Sequence, residues 1–252
     1  MRYEMAPDSV VAPEAEISER ASFIRRTYAH LAGAILAFIG IELAIFKVLA
    51  PVINLDNMMM AYFTTPWSQL IMLVAFIGVG YLARYWANSG VSAELQYLGL
   101  ALYVVIEAIL FVPILYIAFY FAERAGDQSG LIFWQAGILT MSLFAGLTAA
   151  VFITGKDFSF LGPILAIAAF IMLGIVMVAI VGSIMGVNPF GLGLWFSVLG
   201  VILAAGFILY DTSNVMLHFR TDQHVAAALE LFSSVAYLFF HILRILMSLR
   251  SN

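Results

Sequence analysis

Seven long apolar stretches follow one another along this chain and take up most of its 252 residues. Each of the first six is close to the roughly 20 residues that a helix needs to cross about 30 Å of hydrocarbon. In lipid every backbone polar group must be paired within the protein, which favours helices. The chain is therefore predicted to be an all-α integral membrane protein, a seven-helix transmembrane bundle. The predicted spans are residues 28–50, 66–87, 96–121, 131–154, 163–186, 194–217 and 230–249.

The composition agrees with lipid as the main solvent. Hydrophobic residues make up 64% of the chain and charged residues 10%, against roughly 45–50% and 25% in soluble domains. The net charge of −4 and the absence of a long basic run argue against a nucleic-acid partner. The chain has no cysteine, which excludes thiolate metal sites and thiol catalysis.

The connectors between the apolar stretches are short and leave no room for a soluble catalytic domain, so we expect neither an enzyme nor a cofactor. The first 22 residues are acidic, contain Pro7 and Pro13 and lack an apolar run. They are predicted to be a flexible tail and not a secretory signal. Residues 23–252 are predicted to form one membrane domain.

Lysine and arginine predict the orientation, because they collect in cytoplasmic connectors. Three arginines precede the first span, and a basic residue then marks every second connector: Arg20, Arg25, Arg26, Arg84, Lys156 and Arg220. The exceptions are Lys47 near the outer end of the first span, and Arg124, which Glu123 and Asp127 offset. The N-terminus is therefore predicted to be cytoplasmic.

The last span carries a polar stripe. Its members recur at steps of three and four and share one helical face: Glu230, Ser234, Tyr237, His241, Arg244 and Ser248. Exposing such a stripe to hydrocarbon would cost several kcal/mol of free energy, so we expect the other six helices to enclose it. If this helix crosses the membrane, Arg244 and Arg250 lie on the outer side. A re-entrant helix, or an amphipathic helix lying flat on the membrane, therefore remains an alternative.

Four ionisable residues at membrane depth are the first candidates for a functional site: Glu42, Arg84, Glu107 and Asp211. Each costs at least about 2.5–3.5 kcal/mol to insert. Asp211 is too short to reach the interface, so it needs an internal partner. Arg84 and Ser234 lie at a similar depth in their own helices, and the three side chains are expected to be able to meet.

Structural explanations compete for the same residues. Arg84 can extend to the interface, and Glu42 and Glu107 can be protonated packing residues. His30 and His241 fit buried histidines better than metal ligands, since no HxxxH or HExxH spacing is present. No metal site is predicted.

Five motifs in order resemble the Bax inhibitor-1 family: FIRRTYAHLAG at 23–33, EAILFVP at 107–113, GKDFSF at 155–160, LYDT at 209–212, and ALELF at 228–232 with its continuation to Arg244. The resemblance covers nearly the whole chain from Phe23. It implies two three-helix layers that enclose a more polar seventh helix. It also implies a pH-sensitive calcium leak, closed when carboxylates of the sixth and seventh helices share a proton and bind an arginine of the second.

Two of these three family positions have counterparts here. Asp211 matches the aspartate of the sixth helix, and Arg84 is the candidate for the arginine. In the seventh helix the family has Leu-Tyr-Leu-Asp where this chain has residues 231–234, so Ser234 replaces the second carboxylate. Two carboxylates about 3 Å apart cannot both ionise freely, which makes such a pair a proton switch. With Ser234 in its place, the switch is expected to be altered and lost in its familiar form.

Three functions remain open at this point. The first is a leak for calcium or protons, or a stress-response regulator, in the bacterial cytoplasmic membrane, with Glu230 and His241 as further titrating candidates. The second is an interaction protein that modulates a membrane-bound AAA protease or another membrane complex. The third is an intramembrane hydrolase that uses Asp211, His241 and Ser234.

Overall fold

The computed structural model of the protein describes residues 11–88, 92–124, 130–187 and 192–250. Within these ranges it is helical, and seven helices are long and apolar enough to cross a membrane. We name them α1 to α7: Ile17–Ala44, Pro66–Asn88, Ala93–Arg124, Leu131–Thr154, Leu161–Ile184, Leu194–Leu217 and His224–Arg250. The predicted all-α membrane bundle is therefore confirmed.

The helix bounds agree with the sequence prediction wherever apolar residues reach both helix ends. α4 and α6 have the predicted bounds. α1 begins at Ile17, well before the predicted start at residue 28, and α7 begins at His224 instead of residue 230. In α1 the added turns are polar, and in α7 they precede the polar stripe. A criterion based on an apolar run therefore misses the polar start of α1, whereas residues 225–229 of α7 are apolar and the predicted span begins too late there.

The connection between α1 and α2 is more helical than predicted. A π-helical turn, Ile45–Leu49, leads into the short helix Ala50–Ile53, and a further helix covers Leu55–Thr64. Pro51 has no backbone N–H to continue the α-helical pattern, and the N–H of Ala50 bonds to the carbonyl of Ile45. Asn54 adopts a left-handed conformation with φ 51°, which asparagine tolerates better than most residues.

α7 lies at the centre of the bundle. It packs against α6, α1, α4, α3 and α2. Of the residues in its most apolar 18-residue stretch, 72% are buried, against 17% for the corresponding stretch of α5. α1 and α2 pack on α3, α4 and α5 pack on α6, and α2 also contacts α5. This arrangement agrees with two three-helix layers around the last helix.

The two arginines near the end of α7 both contact protein, and Arg244 is partly buried whereas Arg250 is exposed. Arg244 donates hydrogen bonds to the Ser197 hydroxyl at 3.2 Å and to the Leu192 carbonyl, both beside α6. Arg250 donates to the side chain of Gln135 on α4 at 2.9 Å. α7 has 27 residues, so it is about 40 Å long. A helix lying flat on the membrane would expose Arg244 instead, and the crossing itself stays a prediction.

Part of the predicted tail belongs to the fold. The N–H of Ala12 donates to the carbonyl of Phe219 at 3.0 Å, and Val11 forms an isolated bridge with Arg220. The Ala12 side chain is fully buried. The first part of the chain is thus attached to the connector between α6 and α7 from residue 11 onward. Residues 1–10 of the predicted tail lie outside the described residues.

Candidate functional site

Asp211 of α6 and Ser234 of α7 form a hydrogen bond inside the bundle. The Ser234 hydroxyl donates to the Asp211 carboxylate, and both residues are buried. The two helices are consecutive and joined by a short connector, so they pack side by side in opposite directions. The expected meeting of these two side chains is therefore observed.

Arg84 of α2 reaches the same region but pairs with different partners. Its guanidinium forms an ion pair with Glu230 and donates to the Ser233 hydroxyl at 2.9 Å. The Tyr103 hydroxyl donates to the same Ser233 oxygen at 3.0 Å. The guanidinium carbon lies 5.8 Å from the centre of the Tyr103 ring. Arg84 therefore turns toward α7, and it is Glu230, not Asp211, that binds it directly.

These contacts define a polar cluster of six residues: Arg84, Tyr103, Asp211, Glu230, Ser233 and Ser234. Glu230 and Ser234 are four residues apart on one face of α7. Glu230 and Arg84 lie within electrostatic range of Asp211. A second carboxylate therefore does lie near Asp211, but it comes from the turn of α7 that precedes Ser234.

The other two buried carboxylates lack complete hydrogen bonding. Glu107 lies one turn beyond Tyr103 in α3, and its Oε2 atom has no partner among the described residues. Glu42 of α1 precedes the π-helical turn by one turn, and neither of its carboxylate oxygens has a described partner. Both residues are 7% exposed. The structure brings Glu107 next to the polar cluster, whereas Glu42 lies apart from it.

His241 is packed among aromatic rings and does not reach Ser234. Its ring centre lies 4.5 Å from that of Tyr237, 5.1 Å from Phe240 and 5.6 Å from Phe196. The ring also lies against Gly200 of α6, where an added Cβ would meet it at 2.3 Å. His241 is two helical turns from Ser234. The Asp211, Ser234 and His241 side chains therefore do not form a nucleophile–base relay.

The GKDFSF motif attaches the connector after α4 to the end of α6. The Asp157 carboxylate accepts the N–H of Ser159 at 2.8 Å and lies 3.3 Å from Nε2 of His218. Ser213 accepts the N–H of Phe158 at 2.9 Å. The Ser159 backbone and side chain, with a smaller effect from His218, lower the pKa of Asp157 below its ordinary value. The motif thus positions the end of the helix that carries Asp211.

Sequence reasoning missed Ser233 and Tyr103, which orient Arg84, and it missed Asp157 as an anchor of α6. A serine next to Ser234 and a tyrosine one turn before Glu107 carry no distinguishing signal of their own. Among the described residues, no group of three or more histidine, aspartate or glutamate side chains is arranged to hold a metal ion.

Comparison with known proteins gives consistent matches. The family model described as "Inhibitor of apoptosis-promoting Bax1" matches residues 20–251. An uncharacterized protein of Pseudomonas aeruginosa is 26% identical over 94% of this chain and 93% of its own length. A BI1-like protein of Arabidopsis thaliana is 36% identical over 46% of this chain and 45% of its own.

Bax inhibitor 1 of Schizosaccharomyces pombe is 28% identical over 49% of this chain and 45% of its own. The chain thus spans about half the length of several curated relatives that it matches.

Proposed function

Because this chain belongs to the Bax inhibitor-1 family, we propose that it is a membrane-embedded leak for calcium or protons and acts as a stress-response regulator. The observation that carries the proposal is the polar cluster, which places one arginine and two carboxylates inside a membrane bundle. Ionisable groups at that depth are costly and usually line ion or proton pathways. The proposed site is the bacterial cytoplasmic membrane, and the role is not enzymatic.

The polar cluster is suited to close such a pathway. The Arg84–Glu230 ion pair joins α2 to α7, and the Asp211–Ser234 hydrogen bond joins α6 to α7. α7 is therefore held from both three-helix layers by neighbouring turns. Glu107, beside the cluster, and Glu42, farther along, supply carboxylate oxygens of the kind that calcium binds.

Closure would depend on the charge of Glu230. Without that charge Arg84 loses its negative partner, so the tie between α2 and α7 weakens. The carboxylate that binds the arginine would then lie one turn away from the position that Ser234 occupies. On this proposal the contact between carboxylate and arginine is moved along α7, and the proton-sharing pair of the family is altered.

The orientation completes the proposal. Glu230 and Asp211 each lie six residues from the joined ends of α7 and α6, or about 9 Å along the helix axis. With a cytoplasmic N-terminus, which the alternation of lysine and arginine favours, the polar cluster lies in the cytoplasmic half of the membrane. It would therefore be reached first from the cytoplasmic side.

Flux in proteoliposomes tests the proposal. The full-length protein would be reconstituted with a calcium dye inside the vesicles and measured between about pH 6 and pH 8. We expect flux above that of empty vesicles with little change over this pH range, and we expect Glu230→Gln to raise the flux, because it releases α2 from α7. Glu94→Gln is the matched control, since Glu94 is exposed in the first turn of α3.

One outcome would contradict the leak, and another would contradict the role of Glu230. Flux equal to that of empty vesicles at every pH would exclude it, and co-purification of a membrane protease in that case would favour the interaction role. A Glu230→Gln protein with the same flux as the parent would exclude the Arg84–Glu230 ion pair as the closing contact.

A further inference from the structure

Three aromatic side chains from three helices meet near the N-terminal end of α7, outside the polar cluster. They are His30 of α1, Tyr97 of α3 and His224, the first residue of α7. The ring centres of His30 and His224 are 5.1 Å apart. Tyr97 lies 5.4 Å from His30 and 6.3 Å from His224, again between ring centres. Two imidazoles from distant parts of the sequence are thus in direct contact.

The His30 ring is oriented in a way that leaves one nitrogen free to bind. Its Nδ1 lies 2.6 Å from the carbonyl oxygen of Arg26, one turn earlier in α1. A ring nitrogen against a carbonyl carries the proton, so in the neutral ring Nε2 keeps its lone pair. Metal-binding histidines are commonly held by such a carbonyl contact through their other nitrogen.

His224 carries a nitrogen that the fold does not satisfy. Its Nδ1 is buried and has no hydrogen-bond partner among the described residues, while Nε2 lies 3.4 Å from the Tyr97 hydroxyl. Buried polar atoms are rarely left unpaired without a reason. A ligand that accepts electron pairs from both histidines would supply that reason.

The distance between the two rings fits one bound metal ion. Zinc binds histidine nitrogen at about 2.0–2.1 Å with tetrahedral angles, which places the two ring centres about 5 Å apart. The observed separation is 5.1 Å. We propose that His30 and His224 form a two-histidine site for a transition-metal dication such as Zn²⁺, which links α1 to α7. Water would fill the remaining positions, while the Tyr97 hydroxyl holds the other nitrogen of His224.

The chemistry of the site distinguishes this ion from the one that the leak would carry. Calcium and magnesium prefer oxygen ligands, whereas imidazole nitrogen suits zinc, copper and nickel. Asp222 favours a cation near His224, and Arg26 opposes it. No HxxxH spacing marked these histidines, because one lies near the start of the first membrane helix and the other at the start of the last.

Zinc binding to the purified full-length protein tests the site without reference to flux. We expect equilibrium dialysis to give one Zn²⁺ per chain and zinc to raise the melting temperature, because a ligand that binds only the folded state stabilises it. His30→Asn and His224→Asn should each abolish both effects. Calcium should produce neither. A leak that fails in vesicles would leave this result unchanged.

His218→Asn is the matched control, because His218 lies at the same end of the bundle but pairs with Asp157. It should retain zinc binding. Melting temperatures without zinc, close to that of the parent, would show that the two test variants are folded. Absence of stoichiometric zinc binding in the parent would overturn the proposal. Retention in His30→Asn and His224→Asn, or loss in His218→Asn, would also overturn it.

Discussion

Glu230 of α7 forms an ion pair with Arg84 of α2, while the Asp211 carboxylate of α6 accepts its hydrogen bond from Ser234. Arg84 and Asp211 are thus held by different residues of α7, one turn apart. The two interactions act on the same helix from opposite layers of the bundle. Removing either one should therefore loosen α7 on one side only, which makes the two contacts separable by mutation.

The Asp211–Ser234 hydrogen bond should contribute to stability. Asp211→Ala leaves the buried Ser234 hydroxyl without its acceptor, so we expect a loss of about 1–3 kcal/mol in the free energy of unfolding. Asp211→Ala combined with Ser234→Ala should cost less than the sum of the single changes, because neither polar group is then left unpaired. Unfolding in detergent measures all four proteins.

Asp222→Ala is the control for this cycle, since Asp222 lies at the surface beside Arg220. Its effect should stay within about 0.5 kcal/mol. If the free-energy losses of Asp211→Ala and Ser234→Ala simply add in the double variant, the hydrogen bond contributes no coupling energy between the two residues.

The close approach of His241 to Gly200 gives a second stability prediction. A Cβ at position 200 would lie 2.3 Å from the imidazole, so Gly200→Ala should destabilise by about 1–3 kcal/mol through overpacking. Gly174→Ala is the matched control, because nothing lies within 4 Å of a Cβ there. That change should be neutral or stabilise by up to about 1 kcal/mol. Rescue of Gly200→Ala by His241→Ala would identify the ring as the obstacle.

The pH dependence of stability should report on Asp157. Its pKa is lowered in the folded protein, chiefly by the Ser159 backbone. The carboxylate therefore stabilises the fold above its unfolded-state pKa of about 4, and this contribution disappears as the pH falls through the lower folded-state value. Asp157→Asn should melt below the parent at pH 7, and the difference should vanish in strong acid. A difference that is constant with pH would point to a packing effect instead.

The number and order of the seven long apolar helices could be predicted from the sequence, because each apolar run has to cross the same thickness of lipid. The contact of Asp211 with Ser234 could be anticipated because consecutive helices pack side by side at matching depth. The partner of Arg84 could not be anticipated. Whether its side chain meets Glu230 or Asp211 depends on the rotation of α2 against α7, which packing decides, and Ser233 and Tyr103 select that rotation.

The absence of cysteine makes the orientation directly testable. A cysteine placed at Leu249, which is 61% exposed at the end of α7, should react with an impermeant reagent in intact cells. One at Ile17, which is 90% exposed at the start of α1, should react only after permeabilisation. This follows from a cytoplasmic N-terminus and seven crossings. Labelling of both positions only after permeabilisation would show that α7 does not cross.

Ser234→Asp tests the effect of a second carboxylate in contact with Asp211. An aspartate at 234 would face Asp211 in hydrogen-bond contact, with Glu230 one turn away, and two ionised carboxylates at that distance repel strongly. The variant should therefore be less stable than Ser234→Asn, by roughly 1–3 kcal/mol at pH 8. The gap should close in acid, where a shared proton relieves the repulsion. Ser234→Asn is the size-matched control, since it adds similar volume without charge.

The flux of the same variant tests whether the serine removes the switch. A second carboxylate in contact with Asp211 can share a proton with it, so the flux of Ser234→Asp should change between about pH 6 and pH 8. The parent, which has a serine in that position, should change little over the same range. A steep transition in the parent would contradict the expectation from the sequence, because Asp211 would then have another titrating partner.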